Sequence, residues 1–341
     1  MNITVNTRIK YSIYKQIVEQ VERGARDGSL VPGEQLPSMN VLADKYDISR
    51  ETVKKAYGIL VEKGIIEPRH GKGFYVRDLV AGAKTEVLVI LDNFSVYKQI
   101  TFTAFAQTLG PEADITILNH NQNPDLLEYF LDSHLDNFDY YVIAPHFPTA
   151  EAVQKRVTKL LSRIPVRKLI LIDHIQHGLR GRFGAVYQDF ENDIYDGLEQ
   201  GLSDFSKIRR IKVLTLPQSL YGPSICKGIE RFTSDKSLPV EYYTGLPESI
   251  EPGDAFIILN SQLDSGLVGL SRMIQESGLE LGKGVFIVSY NEYPMNELIL
   301  GGLTTVSTDF PEMGRTAAEM ILERKMNQIR NPFRMTRRRT F

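Results

Sequence analysis

The sequence predicts an α/β protein in two parts. A winged helix-turn-helix domain covers residues 1–77, and a two-lobed α/β domain covers 85–341, with residues 78–84 as linker. Three observations carry this. Before residue 64, apolar residues recur at helical spacing in three stretches, and two short strand-like runs rich in flanking glycine follow. Residues 78–84, DLVAGAK, are small and unpatterned. From residue 85 on, short continuous apolar runs alternate with helical stretches, which predicts a parallel sheet covered on both faces.

The first helix is expected where Ile13, Ile17, Val18, Val21 and Ala25 form one stripe, ending at Gly28. Leu30-Val31-Pro32-Gly33 reads as a turn. Ser38 is placed to cap a second helix that carries Val41, Leu42 and Tyr46 inward. Ser49 caps a third, with Val53, Ala56, Tyr57 and Leu60 inward and Gly64 as its stop. Ile65–Glu67 and Gly73–Val76 read as strands joined by residues 68–72. In the large domain, strands are expected at Val87–Leu91, Ile115–Leu118, Tyr140–Ala144, Leu169–Ile172, Ile211–Leu216, Ala255–Leu259 and Val285–Ser289, with a further one at Ala185–Tyr187. Helices are expected at Asp189–Leu202, Cys226–Phe232 and Leu263–Ser277.

Composition narrows the function classes. The chain of 341 residues is 42% hydrophobic and 24% charged, as in globular proteins. One cysteine, Cys226, rules out an internal disulfide framework and suits a reducing cytoplasm. No apolar run approaches a bilayer span and no secretory leader is read at the start, so no membrane partner is expected. Residues 1–77 hold 13 Lys or Arg against 9 Asp or Glu, while the remainder holds 27 against 33. A basic head on an acidic body points the head toward an anion.

The third predicted helix gives that anion a shape. Arg50 and Lys54 are four apart and share the face opposite the apolar stripe. Such a helix fits a major groove, where arginine grips the O6 and N7 of guanine. Ser49 and Thr52 stand at its start, where backbone N–H groups attract phosphate. Lys55 lies about 100° further round and is assigned to phosphate or solvent. Arg69, His70, Gly71 and Lys72 form a tip between glycines, suited to a wing in a minor groove.

Residues 8–77 resemble the winged-helix domain of GntR-type bacterial regulators. The matching pieces are Tyr14-Lys15-Gln16-Ile17, the run Leu30 to Ser38, Leu42-Ala43, Ile48 to Val53, Leu60 to Gly64, and His70-Gly71-Lys72-Gly73. The resemblance implies DNA contacts at Arg50, Thr52, Lys54, His70, Gly71 and Lys72. After Leu36-Pro37-Ser38 the family commonly carries an acidic residue and then a DNA-touching arginine. Met39 and Asn40 stand there instead. Ser38 and Asn40 can still donate to phosphate, and Asn40 can read adenine, so the expected operator differs from the usual one.

The large domain resembles the sugar-sensing, type I periplasmic-binding-protein-like domain of LacI/GalR-type regulators. The matching residues are the run Gly284 to Glu292, then Leu303-Thr304-Thr305-Val306, then Met313-Gly314-Arg315-Thr316-Ala317-Ala318. The combination of head and body is similar to arabinose repressors of some bacteria. In that fold ligands sit between the lobes, past the carboxyl ends of the strands. The candidates there are Asp92, Ser95, Tyr97, His146, Asp173, His174, Asp189, Asn260, Ser261, Asn291 and Glu292. Carboxylates, amides and an aromatic face suit a sugar. Two departures blur the choice: the family's aspartate is Asn291, and its hydroxyl-gripping arginine falls at Ile225, with Lys227 nearby as a substitute. A pentose or deoxyhexose is expected. The arginines of Arg337-Arg338-Arg339-Thr340-Phe341 read as the family's terminal strand rather than a nucleic-acid arm.

No enzyme signature competes. The six histidines form no HExxH pattern, and no metal or cofactor is expected. Residues 278–284 are one residue short of a phosphate loop, and Gly284 stands where Ser or Thr must hold magnesium. The expected protein is a cytoplasmic, homodimeric regulator, of repressor type. It binds double-stranded operator DNA under control of a sugar-like effector. The alternative is a sugar-modifying enzyme tethered to DNA by its head.

Overall fold

A computed structural model describes residues 3–7, 11–26, 29–77, 84–201, 207–216, 219–259 and 265–341. The chain forms two compact units, Met1–Lys84 and Thr85–Phe341. The expected helix stop at Gly28 and most of the expected linker lie outside the described residues.

The first unit contains α1 (Ile13–Arg26), α2 (Met39–Tyr46), α3 (Arg50–Glu62), and a hairpin of β1 (Ile66–Arg69) and β2 (Gly73–Val76). Ser38 and Ser49 cap α2 and α3, accepting from the Val41 and Thr52 amides. Each cap satisfies one orphan N–H of a helix start. Gly64 adopts a φ of 68°, a left-handed stop that costs glycine little. The core centres on Tyr57, whose hydroxyl donates to the Pro37 carbonyl at 2.6 Å and whose ring meets Phe74 edge-on. This ties α3 to the segment before α2 and to the hairpin. Two expectations fail here. Val41 is exposed, because α2 turns Leu42, Ala43 and Tyr46 inward and leaves position 41 about 100° away. Pro68 and Arg69 belong to β1, with Arg69 paired to Gly73, so the turn is residues 70–72.

The second unit holds two six-stranded sheets. The first lobe comprises β3 (Thr85–Leu91), α4 (Val96–Leu109), β4 (Ala113–Asn119), α5 (Pro124–His134), β5 (Tyr140–Ile143), α6 (Glu151–Leu161), β6 (Leu169–Asp173) and β7 (Gly184–Tyr187). The second comprises α7 (Phe190–Glu199), β8 (Arg210–Leu214), α8 (Gly222–Asp235), β9 (Val240–Tyr243), β10 (Asp254–Ile258), α9 (Ser265–Ser277), β11 (Phe286–Tyr290) and β12 (Thr304–Thr308). α10 (Phe310–Leu322), β13 (Gln328–Arg330) and β14 (Phe333–Thr336) end the chain. The sheet orders are β13-β7-β6-β5-β3-β4 and β14-β12-β11-β10-β8-β9, one plan used twice. Every pairing is parallel except β12 with β14. The central strands are buried on both faces, as their continuous apolar runs require.

The chain passes between lobes after β7, after β12 and between β13 and β14. Asn331 ties the three passages together. Its backbone donates to Tyr187, and its amide donates to the Thr308 hydroxyl and the Asp309 carbonyl. Arg330 adds ion pairs to Asp193 and Asp196, each at 2.7 Å. α10 follows a second-lobe strand yet packs on α4 with Met313, Ala317 and Ala318 in the first lobe's core. Gly314 permits this: a Cβ there would lie 2.1 Å from the Thr101 carbonyl. Gly228 on α8 plays the same part against α7, where a Cβ would lie 2.2 Å from the Glu191 carbonyl.

The tail differs from expectation. Arg337, Arg338 and Arg339 follow β14 rather than lying in it. Arg338 grips Glu292 with two donors at 2.9 and 3.0 Å, and buried Thr340 exchanges hydrogen bonds with Ile287.

Candidate nucleic-acid interface and effector cleft

On the first unit, Ser38, Asn40, Ser49, Arg50, Lys54, Lys55, Arg69, His70, Gly71 and Lys72 are exposed, and Thr52 is half-buried. The core stripe of α3 leaves Arg50 and Lys54 on its outer face. Lys54 lies 3.4 Å from Glu51, a contact on the open surface that contributes little. The Ser49 and Thr52 hydroxyls are 2.8 Å apart at the helix start. Lys55, assigned to phosphate or solvent, instead stands over the Tyr14 ring at 4.2 Å. Arg69 is likewise held, over Tyr75 and against Glu67 at 3.0 Å. The tip is shaped by Gly71 and Gly73, both with positive φ, and by Gln35, which donates to the Lys72 carbonyl at 2.6 Å.

In the second unit the expected residues gather at the carboxyl ends of β3, β5 and β6. Asp173 ends β6 with a φ of 72°. Its carboxylate accepts from Lys98, from Gln188 and, at 2.8 Å, from His146 Nε2. Lys98 also lies 3.2 Å from Asp92. All five side chains are buried. Burial works against the Lys98 ammonium, but Asp173 and Asp92 overcome it and hold its pKa above the ordinary lysine value. Burial also opposes the Asp173 carboxylate, and Lys98 and His146 hold it well below the usual range. Buried ions need such pairing, because an unpaired charge there is costly.

Gln188 joins this network to a cleft of about 590 Å³. It is lined from the first lobe by Phe147, Thr149, Gln154, His174, Ile175, His177 and Tyr187. Gln188, Asp189, Phe190, Glu191, Leu220, Tyr221 and Ser224 complete it. Phe190 and Tyr221 stack at 4.2 Å and 10°, and Tyr221 stands 4.9 Å from both His146 and His174. Burial pushes His174 down to about 4, so its ring is neutral near pH 7, and raises Tyr221, which remains a phenol. His174 Nδ1, Gln188 Oε1 and Gln176 Oε1 are buried without a hydrogen-bond partner in the protein. Such groups are costly unless something else meets them.

Not every expected residue joins the cleft. Asp92, His146 and Asp173 belong to the buried network that reaches the cleft through Gln188, and His174 and Asp189 line the cleft itself. Ser95 caps α4, and Tyr97 stacks on Phe310. Asn291 follows β11 with a φ of 75° and a buried, unpartnered Oδ1. Glu292 is committed to Arg338 and Thr305. Asn260 and Ser261 lie outside the described residues. Ile225 is core, and exposed Lys227 does not line the cleft, so it does not replace the missing arginine. Sequence reasoning missed Lys98, Gln188, Phe190 and Tyr221. Phe190 and Gln188 flank Asp189 directly, and the start of α8 was the place to find Tyr221.

Residues 13–76 match the model of the gntR family of bacterial regulatory proteins, and residues 182–340 match that of the periplasmic-binding-protein-like domain. The chain thus joins a GntR-type DNA-binding domain to a periplasmic-binding-protein-like domain. Among relatives, the transcriptional regulator TreR of Bacillus subtilis is 34% identical over 134 residues, 39% of this chain and 50% of TreR. The repressor YtrA of the same organism is 36% identical over 86 residues, 25% of this chain and 64% of YtrA. The chain therefore spans 50% and 64% of the length of these two relatives. The trehalose repressor of Escherichia coli superposes with a TM-score of 0.59 at 18% identity, covering 74% of this chain and all 100% of that one. A LacI-family regulator from Enterococcus faecium with bound ribose gives 0.57 at 18%, covering 75% and 98%. These likenesses establish the two-lobed fold. Among the described residues, no helix is long and apolar enough to cross a membrane.

Proposed function

We propose that the protein is a cytoplasmic, homodimeric transcriptional repressor. Its winged helix binds operator DNA, and a sugar-sized effector in the cleft controls that binding. The observation that carries this reading is one chain holding both a GntR-type domain and a cleft with unmet buried acceptors. The cleft's size is that of small-molecule sites. The Phe190–Tyr221 stack offers an apolar face for a sugar ring, and Gln154 and Gln188 offer amides for hydroxyls. A pentose or deoxyhexose fits this division into one apolar and one polar side.

The relatives include regulators and repressors, and the Enterococcus structure holds ribose. Ser38, Asn40, Ser49, Arg50, Thr52, Lys54, His70, Gly71 and Lys72 are the proposed DNA contacts, with Lys55 and Arg69 in supporting positions. A fluorescence-anisotropy titration on genomic operator fragments tests the reading, run with and without pentoses and deoxyhexoses. The expected result is specific binding that a sugar shifts by roughly 5–150-fold. Specific binding that no sugar alters, with turnover of a sugar instead, would favour a tethered sugar-modifying enzyme.

A further inference from the structure

Taking the cleft as the effector site, we propose that its effector is an uncharged sugar and that sugar phosphates and sugar acids are rejected. The argument is a matter of charge. Recognition of phosphate or carboxylate relies on charge-assisted donors, above all arginine and lysine. Among the described residues that line the cleft there is no Lys or Arg, while Asp189 and Glu191 both do.

Two cations that meet the cleft's lining residues or their partners are already committed. Lys98 sits behind Gln188 between Asp92 and Asp173, two carboxylates for one ammonium. Arg231 lies 3.2 Å from Glu191 and donates to Asn192. His174 is held neutral by burial. An anionic ligand would therefore enter a cleft that offers amides, a phenol and imidazole, and that repels it through Asp189, the lining acid with no cation beside it among the described residues. A neutral polyol, whose hydroxyls both donate and accept, suits the side chains of His174 and Gln188, which line the cleft and each keep one polar atom without a partner in the protein. One consequence concerns the signal's lifetime. Phosphoryl transfer from a nucleoside triphosphate to a sugar hydroxyl, with the hydroxyl proton passing to a base, would turn the effector into a non-effector.

Calorimetric titration of the full chain tests this. The probes are L-arabinose, D-xylose, L-fucose and L-rhamnose, set against aldose phosphates and D-galacturonate. The expected result is that the free sugar that binds does so at least about 100-fold more tightly than any phosphate ester or uronate. Glu191→Gln, which frees Arg231, should narrow that gap by about tenfold. An ester or uronate that binds as tightly as the free sugar, with binding lost in Tyr221→Ala, overturns the charge rule and leaves the cleft as the site. Binding that persists in Tyr221→Ala, or no binding by any probe, removes the cleft reading itself and the rule with it. Gln154→Ala takes the place of Tyr221→Ala if that variant melts early.

Discussion

Arg50 reaches into solvent from α3 with no partner among the described residues, while Lys55, further round the same helix, is held over Tyr14. Free and committed cations make different predictions. Arg50→Ala should weaken specific operator binding by about 1–3 kcal/mol, the worth of one bidentate base contact, read as an anisotropy shift against competitor DNA. Lys55→Ala should leave that affinity nearly unchanged and lower stability by about 0.5–1 kcal/mol through the lost ring contact. In the buried network behind Gln188 the decisive residue is Lys98. Lys98→Met leaves Asp92 and Asp173 buried beside one another without their shared ammonium. Denaturant unfolding of the variant should show a loss of about 3–5 kcal/mol. A loss below about 1 kcal/mol would mean that Lys98 holds no such network together.

Elements show what sequence can and cannot reveal. α3 was legible because three independent signals agreed: an apolar stripe, a serine before it and a glycine after it. The central strands were legible because a strand buried on both faces is written as an unbroken apolar run. β9, β13 and β14 were not foreseen: they are three or four residues long, lie at sheet edges and show no buried run. Lys98 and Tyr221 were missed for another reason. Lys98 bonds Asp173, 75 residues away, and Tyr221 meets His146 from the other lobe, and a local sequence pattern records neither contact.

The loop after β4 supports a prediction at this scale. His120 is fully buried, its Nε2 bonded to the Ala144 carbonyl at 2.9 Å, its Nδ1 accepting from Gln122 and its ring stacked on Phe147. Burial lowers its pKa from the ordinary 6.5 to about 4. Between those values the unfolded chain takes up a proton that the folded one refuses. Its contribution is thus present above pH 6.5 and lost as pH falls toward 4, by up to about 3 kcal/mol. His120→Gln, which can still donate to Ala144, should flatten that part of the acid slope when melting temperature is followed against pH.

For the whole molecule, the proposed function sets a thermodynamic constraint that needs no knowledge of how the units are arranged. If effector changes operator affinity by some factor, operator must change effector affinity by the same factor. Titrating sugar into protein saturated with operator, and into free protein, should give two dissociation constants whose ratio equals the shift in operator affinity. Unequal ratios would show that the two events are not linked through one equilibrium. Asn331 and Arg330 pin the three chain passages together, so under the proposed function a relative motion of the lobes would have to bend all three at once.

The glycines that let helices touch have a consequence for genetics. At Gly228 and Gly314 there is no room even for a methyl group without displacing a carbonyl of the facing helix. A chain carrying alanine at either place would fold in the cold and fail in the heat, so conditional alleles of this locus should cluster at these two codons, where helix packing alone is at stake.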